Sequence, residues 1–443
     1  MGFGTGTGRA GLWAGIAAAL AVATPAAALQ PLERFLASAR SANPDELENR
    51  ANLAQQSAQS EAGLGRLLPG ISASGSYIRN QYQSQVGLPA PGGTQLITIT
   101  PYDQLQGAAT LTVPLVNLAN QRRLSSARSS EEGAARQLEA TRLLVQGAVV
   151  QDYYQLVANL ALVAASQQAL AVSRESLRLA QARFEAGAAP VLDVDRARAD
   201  VESQAQQVAA AELQVALSAR ALESVSGASP ALSGVMPLED DLHPEPELAR
   251  FQAGFDGLPA VASARLATRA AEQQAEAQRL ALLPSLAGSF TENGTNASGF
   301  VGHEWSFQAV VTLSWTFDLT SVANIRGQDA AAEAARAREL RARLAAADAI
   351  HREWNTVTAG IVRSRSARAG RQAAAHASEQ ARDRYQAGTT TQLELLQAQR
   401  DAFSAEVARI QADADLVNAR KQLRLSAGES LLPAGEGKDQ GTP

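Results

Sequence analysis

The chain repeats itself, and each copy is drawn out rather than thick. Arg183-Phe184-Glu185-Ala186-Gly187 is echoed by Arg384-Tyr385-Gln386-Ala387-Gly388, an offset of 201 (Gly187 to Gly388). At the same offset Leu192 meets Leu393, Asp193 meets Glu394, Ala197 meets Ala398, Asp200 meets Asp401 and Gly227 meets Gly428. Upstream, Leu67-Leu68-Pro69 recurs as Leu282-Leu283-Pro284, and Thr110-Leu111-Thr112-Val113 as Thr312-Leu313-Ser314-Trp315. The sequence is two copies of one unit of about 200 residues, and a repeat of that kind fixes the architecture before any single element does.

Each copy predicts the same order of elements. A helix comes first, about Leu32 to Arg66 and about Glu247 to Ala281. Leu-Leu-Pro ends it, because proline disfavours helix in the residue before it. Two strands follow, then a very long proline-free helix, about Ala119 to Ala186 and Val322 to Ala387. About 67 residues at 1.5 Å each span roughly 100 Å. Gly187 and Gly388 break these helices, as glycine does at a C-terminus. Return helices run from Val191 to Ser226 and from Gln392 to Ala427, and end at Gly227 and Gly428. Val145, Val149, Tyr153, Leu156, Leu160 and Val163 form a narrow stripe of coiled-coil type. So thin a stripe cannot close its own core and must lie against neighbours. A plain coiled-coil rod satisfies the helices alone, so the strands decide.

The strands alternate. Ile71, Ala73, Gly75 and Tyr77 interleave with serines; Ala109, Leu111 and Val113 interleave with threonines. Leu286, Gly288 and Phe290 share one face, and so do Ala309, Val311, Leu313, Trp315 and Phe317, with Val310 the exception on the other side. This is the apolar-out, polar-in pattern of a transmembrane barrel strand. Tyr77, Phe290, Trp315 and Phe317 are candidate membrane-interface aromatics. A soluble sheet with one face on a core gives the same alternation. The two hairpin loops fall at about Ser84 to Gln106 and Asn293 to Glu304. Four strands cannot close a barrel, and lipid does not tolerate open edges. Two copies would give eight strands and a filled interior; three give twelve and leave a lumen.

Composition excludes much else. There are no cysteines, hence no disulfides, thiol nucleophiles or Cys-ligated metals, and no lipid on an N-terminal cysteine. The formal net charge of −5 gives no strong field for nucleic acid. Only 5% of residues are aromatic, which suits long helices rather than deep cores. Arg9, an apolar run from Ala10 to Ala23 and Ala26-Ala27-Ala28 predict a signal peptide over residues 1–28. No later stretch reads as a transmembrane helix. His243, His303, His351 and His376 are scattered, and no catalytic, cofactor-binding or metal-binding motif stands out.

The duplication, the two Leu-Leu-Pro signals, Val113-Pro114-Leu115 and the Arg-aromatic-x-Ala-Gly tips followed by Leu-(Asp/Glu) resemble the TolC-like outer membrane factor (outer membrane efflux protein) family over nearly the whole mature chain. The resemblance implies a mainly α fold with a small β part: long helical hairpins forming a trimeric α-barrel, and four strands per chain in a shared twelve-stranded transmembrane β-barrel. It implies an outer-membrane location reaching into the periplasm. The function implied is the exit duct of a tripartite efflux pump or type I secretion system. Its partners would be two further copies, outer-membrane lipid, a periplasmic adaptor protein, and an inner-membrane pump or ABC exporter. A periplasmic coiled-coil adaptor or structural protein is the alternative, but it would show one helical hairpin rather than two. Residues 29–227 and 247–428 form the repeats, 228–246 an equatorial linker and 429–443 a flexible tail.

The tips Phe184, Gly187, Pro190, Tyr385, Gly388 and Thr389 are the candidate adaptor contacts, although glycine there also simply turns the chain. Asp193, Asp195 and Glu394 are candidates for an acidic constriction that would attract cations. Acidic residues near a helix N-terminus also suit the helix dipole with no further role. The sequence departs from the family pattern at Arg196, with Gln397 its counterpart, where acid or amide is expected, and at Thr316, where copy one has Pro114.

Overall fold

The computed structural model describes residues 29–232, 238, 240–300 and 302–432. The expected signal peptide and the tail beyond residue 432 lie outside them. Copy one comprises α1 (Leu32–Ala42), α2 (Pro44–Gly65), β1 (Gly70–Arg79), β2 (Ser84–Ala90), β3 (Gly93–Thr100), β4 (Asp103–Val116), α3 (Leu118–Glu185) and α4 (Val191–Ser226). Copy two comprises α5 (Leu248–Gln252), a 3-10 turn at Phe255–Gly257, α6 (Pro259–Leu280), β5 (Ser285–Thr295), β6 (Trp305–Ser314), α7 (Leu319–Gln386) and α8 (Gln392–Ser426).

The long helices have equal length. Both α3 and α7 contain 68 residues, about 100 Å of rod. Each starts on a side-chain cap: Asn117 Oδ1 accepts from the Asn120 N–H at 2.9 Å, and Asp318 Oδ1 from the Ser321 N–H at 2.6 Å. Each ends at a left-handed glycine, Gly187 at φ 72° and Gly388 at φ 77°. α3 runs along α4, α6 and α8, while α7 runs along α6 and α8. The expected stripe holds: Val145, Val149, Tyr153 and Leu156 are buried, and Leu160 and Val163 pack beside them. α1 completes this cluster with Leu32, Phe35 and Leu36. One 18-residue window of α3, mean hydropathy 1.5, is apolar enough by composition to cross a membrane, against the sequence expectation. It belongs to a rod several times that length which packs against other helices on one face.

The first helix of each copy is broken rather than continuous. Proline at N1 starts α2, and Asn43 caps it, accepting from the N–H groups of Asp45 (2.9 Å) and Glu46 (3.4 Å). In copy two the same region splits into α5, the 3-10 turn and α6, which also begins on a proline. The first strand loop is not irregular: it folds as the β2–β3 ribbon, turned through Gly92 (φ 109°) and Gly93 (φ 138°). The last strand begins at Trp305 and ends at Ser314, so Trp315 and Phe317 follow it rather than belong to it.

Candidate functional site

Register decides what the sheet can do. The four strands run in the order β1-β4-β5-β6, all antiparallel. Pairing places Ile71 beside Leu111, Leu111 beside Phe290 and Phe290 beside Ala309 in one row. The next row on the opposite face reads Ser72, Thr110, Thr291 and Gln308. Side chains alternate between faces along a strand. Two copies that diverge in sequence thus agree on one apolar and one hydroxyl-lined face. The Thr110 and Thr291 hydroxyls meet at 3.0 Å across the copy boundary. On the apolar face Phe290 and Phe307 stack at 5.8 Å. That face is bare: Ile71 is 82% exposed and Val311 70%. So much uncovered apolar surface does not belong in water.

Aromatics mark both ends of the sheet. Tyr77 and Trp305 stand at the hairpin end, where the Tyr77 hydroxyl donates to Asp103 Oδ1 at 2.6 Å. Trp315 and Phe317 stand at the helical end, and Trp315 Nε1–H donates to the Leu282 carbonyl at 3.0 Å. Phe290 lies mid-sheet, opposite Ala309, and is a face residue rather than an interface anchor. Sequence reading missed Trp305 and Phe307, which extend the alternation of β6 toward its start.

At the far end of the helices, Phe184, Gly187, Pro190, Gly388 and Thr389 are exposed. Tyr385 is not: its side chain is 2% exposed, so the expected contact role fails for its ring. The Arg183 guanidinium covers that ring at 4.6 Å and donates to the Tyr385 carbonyl, which locks the two tips together. Burial pushes the Tyr385 phenol up.

The three candidate constriction acids differ. Asp193 is half-buried, with Arg196 of the same helix 3.8 Å away, so the basic departure neutralises part of the expected ring. Asp195 is exposed. Glu394 closes a capping box with Thr391 at the start of α8. The Thr390 hydroxyl, and after it the Thr391 N–H, hold the Glu394 carboxyl below its ordinary value. A depressed carboxylate contributes stability above its unfolded value, near about 4.3, and loses it as pH falls through the lower folded value. Hydrogen exchange at residues 391–395 is therefore expected to quicken below about pH 4 in the native chain and to be independent of pH, after correction for intrinsic rates, in Glu394→Gln.

A second set of groups escaped the sequence reading. Asp200, 3% exposed, takes two bonds from Arg400, at 3.0 and 2.9 Å, and one from the Ser173 hydroxyl at 2.8 Å. It ties α3 and α4 of copy one to α8 of copy two. The one available signal was its spacing: it continues the buried stripe of Val194 and Ala197, where an acid is out of place.

These features have relatives. The family model described as outer membrane efflux protein matches residues 35–228 and 257–429. The chain belongs to the outer membrane efflux protein family. Among curated members, the probable efflux pump outer membrane protein TtgC of Pseudomonas putida is 27% identical over 277 residues, covering 59% of this chain. The matched stretch spans about half of that relative, 54%. Among solved structures, the outer-membrane channel OprN superposes with a TM-score of 0.74 at 21% identity, covering 90% of each chain. The Campylobacter jejuni CmeC outer membrane channel superposes with a TM-score of 0.76 at 19% identity, covering 90% of this chain and 85% of that one. The fold expected from the sequence, long helical hairpins with a small sheet, is the fold of these channels. Membership of the efflux protein family places the chain in the outer membrane of a Gram-negative bacterium.

Proposed function

We propose that three copies of this chain close one twelve-stranded barrel through the outer membrane, continued by their helices into the periplasm, and that the assembly is the passive exit duct of an efflux pump or type I secretion system. The observation that carries this reading is the sheet: one bare apolar face, one hydroxyl face, and two strands, β1 and β6, each with an unpaired edge among the described residues. A hydrocarbon environment satisfies the first face and water the second, while lipid forbids the open edges. Joining β1 of one copy to β6 of the next removes both open edges of this four-stranded sheet. The matched family, one of transport conduits rather than enzymes, supports the same conclusion.

The exposed tips Phe184, Gly187, Pro190, Gly388 and Thr389 are the surface offered to a periplasmic adaptor, which in turn would join an inner-membrane pump or ABC exporter. The duct holds no energy source of its own, and adaptor binding would shift it between a narrowed and a splayed packing of the tips. Asp193 and Glu394, at matched stations one turn past the tips, would give the mouth its cation preference, with Asp195 the weaker contributor.

Single-channel recording in a planar bilayer tests both levels. The native protein is expected to show discrete conductance steps with a preference for cations, and Asp193→Ala with Glu394→Ala to reduce that preference severalfold. Steps with unchanged selectivity would remove the acids from the mouth. No conductance at all from correctly folded protein would remove the duct.

A further inference from the structure

The apolar face of the sheet carries one charge away from its ends. Pairing sets Glu292 in a row with Ala73, Ala109 and Phe307, next to the row of Ile71, Leu111, Phe290 and Ala309. Residues two apart along a strand share a face, so Glu292 lies on the side of Phe290 and not with Thr291 on the hydroxyl side. The other charges of this face among the described residues, Arg79 and Asp103, stand at the hairpin end and bond each other. Glu292 is exposed and has neither hydrogen bond nor ion pair among the described residues. The charges that the helices bury are all matched: Glu46 by Arg142 at 2.8 Å, Asp200 by Arg400 at 2.9 Å, Asp413 by Arg368 at 3.0 Å and Arg420 by Asp240 at 2.8 Å.

The side chains around Glu292 hold no charge and no oxygen. Toward the hairpin end the next row is Gly75, Gly107, Gly294 and Trp305. A Cβ at Gly75 or Gly107 would meet nothing nearer than a backbone oxygen at 3.9 Å, so this part of the face is open. The Trp305 ring lies across Gly294, where a Cβ would come within 3.0 Å of it. On the other side Phe290 and Phe307 stack. Two residues of a tilted strand rise roughly 5 Å along the membrane normal, which a glutamate side chain spans. The carboxylate thus reaches the level of Trp305, and tryptophan rings sit at the headgroups.

An ionisable group facing hydrocarbon persists where it has a partner. The chain supplies none, so the lipid must. The sign of the charge selects a cation. One carboxylate offers two oxygens, too few for calcium or magnesium, which take about six or more. An ammonium needs only that carboxylate, and an indole face attracts it as well. We propose that Glu292 and Trp305 form a site, one per subunit, for the primary ammonium of a lipid headgroup. The site rests on the membrane reading of the sheet given above.

Native mass spectrometry of the full-length protein in mild detergent, titrated with phosphatidylethanolamine or with phosphatidylglycerol of identical chains, tests it. The native trimer is expected to retain the ethanolamine lipid at a concentration at least about fivefold lower than the glycerol lipid. Glu292→Gln, which preserves shape, is expected to abolish that preference. Trp305→Leu, which leaves the carboxylate in place, is expected to weaken it. Heat stability of the trimer in lipid-free detergent should be the same for the native protein and Glu292→Gln. A trimer that shows no preference, or one whose preference survives Glu292→Gln, would overturn the site alone. Lower heat stability of Glu292→Gln without lipid would assign the carboxylate to a contact between copies and overturn it too. A protein that is not trimeric would overturn the shared barrel and the site together.

Discussion

Val311→Arg is expected to abolish assembly in the outer membrane, whereas Thr312→Arg, one residue along the same strand, is expected to be tolerated. Val311 sits on the apolar face, opposite Gly288, and Thr312 on the hydroxyl face, opposite Ala287. An arginine facing lipid at mid-depth costs about 2–4 kcal/mol, and less toward either interface. A three-copy barrel carries the charge three times, which multiplies the penalty threefold. The same arginine facing a water-filled lumen keeps its hydration and alters selectivity instead. The check is the yield of heat-modifiable oligomer in the outer-membrane fraction: near zero for Val311→Arg, close to native for Thr312→Arg. The opposite ranking would reverse the assignment of the two faces.

The second large effect is expected at Gly227, where α4 ends. Its φ of 70° is left-handed, and a Cβ there would lie 2.4 Å from the Ala42 Cβ of α1. Gly227→Val adds a branched side chain to a conformation that disfavours it and drives it into a helix whose other residues anchor the main cluster. Strain and overpacking together are expected to cost about 3 kcal/mol or more. Ala42→Gly added to this variant removes the colliding methyl and should recover the packing part only. Gly428, the matched station in copy two, has φ 86°, but its nearest neighbour is the far end of the Leu258 side chain at 2.8 Å, which can turn aside. Gly428→Val should therefore lower the thermal unfolding temperature less than Gly227→Val does. Equal losses would mean that backbone strain alone governs both sites.

The large architecture was legible because it rests on periodicity and punctuation. The long helices α3 and α7 were placed to within about three residues, since nothing inside them competes with helix and a glycine stops each one. The strands were legible because a half-buried strand must alternate. What escaped has a common cause: it depends on partners remote in sequence. Pro44 was in plain view, yet the break between α1 and α2 also needs Asn43, whose side-chain N–H reaches the Val225 carbonyl at 3.0 Å. The β2–β3 ribbon hides in a stretch rich in Gln, Gly and Pro, and among the described residues each strand pairs with the other and with no third strand. The exposure expected of Tyr385 assumed that a tip residue faces outward; Arg183, 202 residues earlier, covers it. Asp200, Asp413 and Arg420 each stand at core spacing along their helices, and a charge at such a position is a signal to seek its partner. The sequence alone does not say which arginine or acid that partner is.

Three copies joined edge to edge remain the point on which function turns. Native mass spectrometry of the full-length protein, extracted from outer membranes in mild detergent, counts them directly. The expected result is a single species with three times the mass of the mature chain. A lone chain that stays soluble without detergent, its Ile71, Leu111 and Phe290 row shielded from solvent, would contradict the shared barrel and the duct with it.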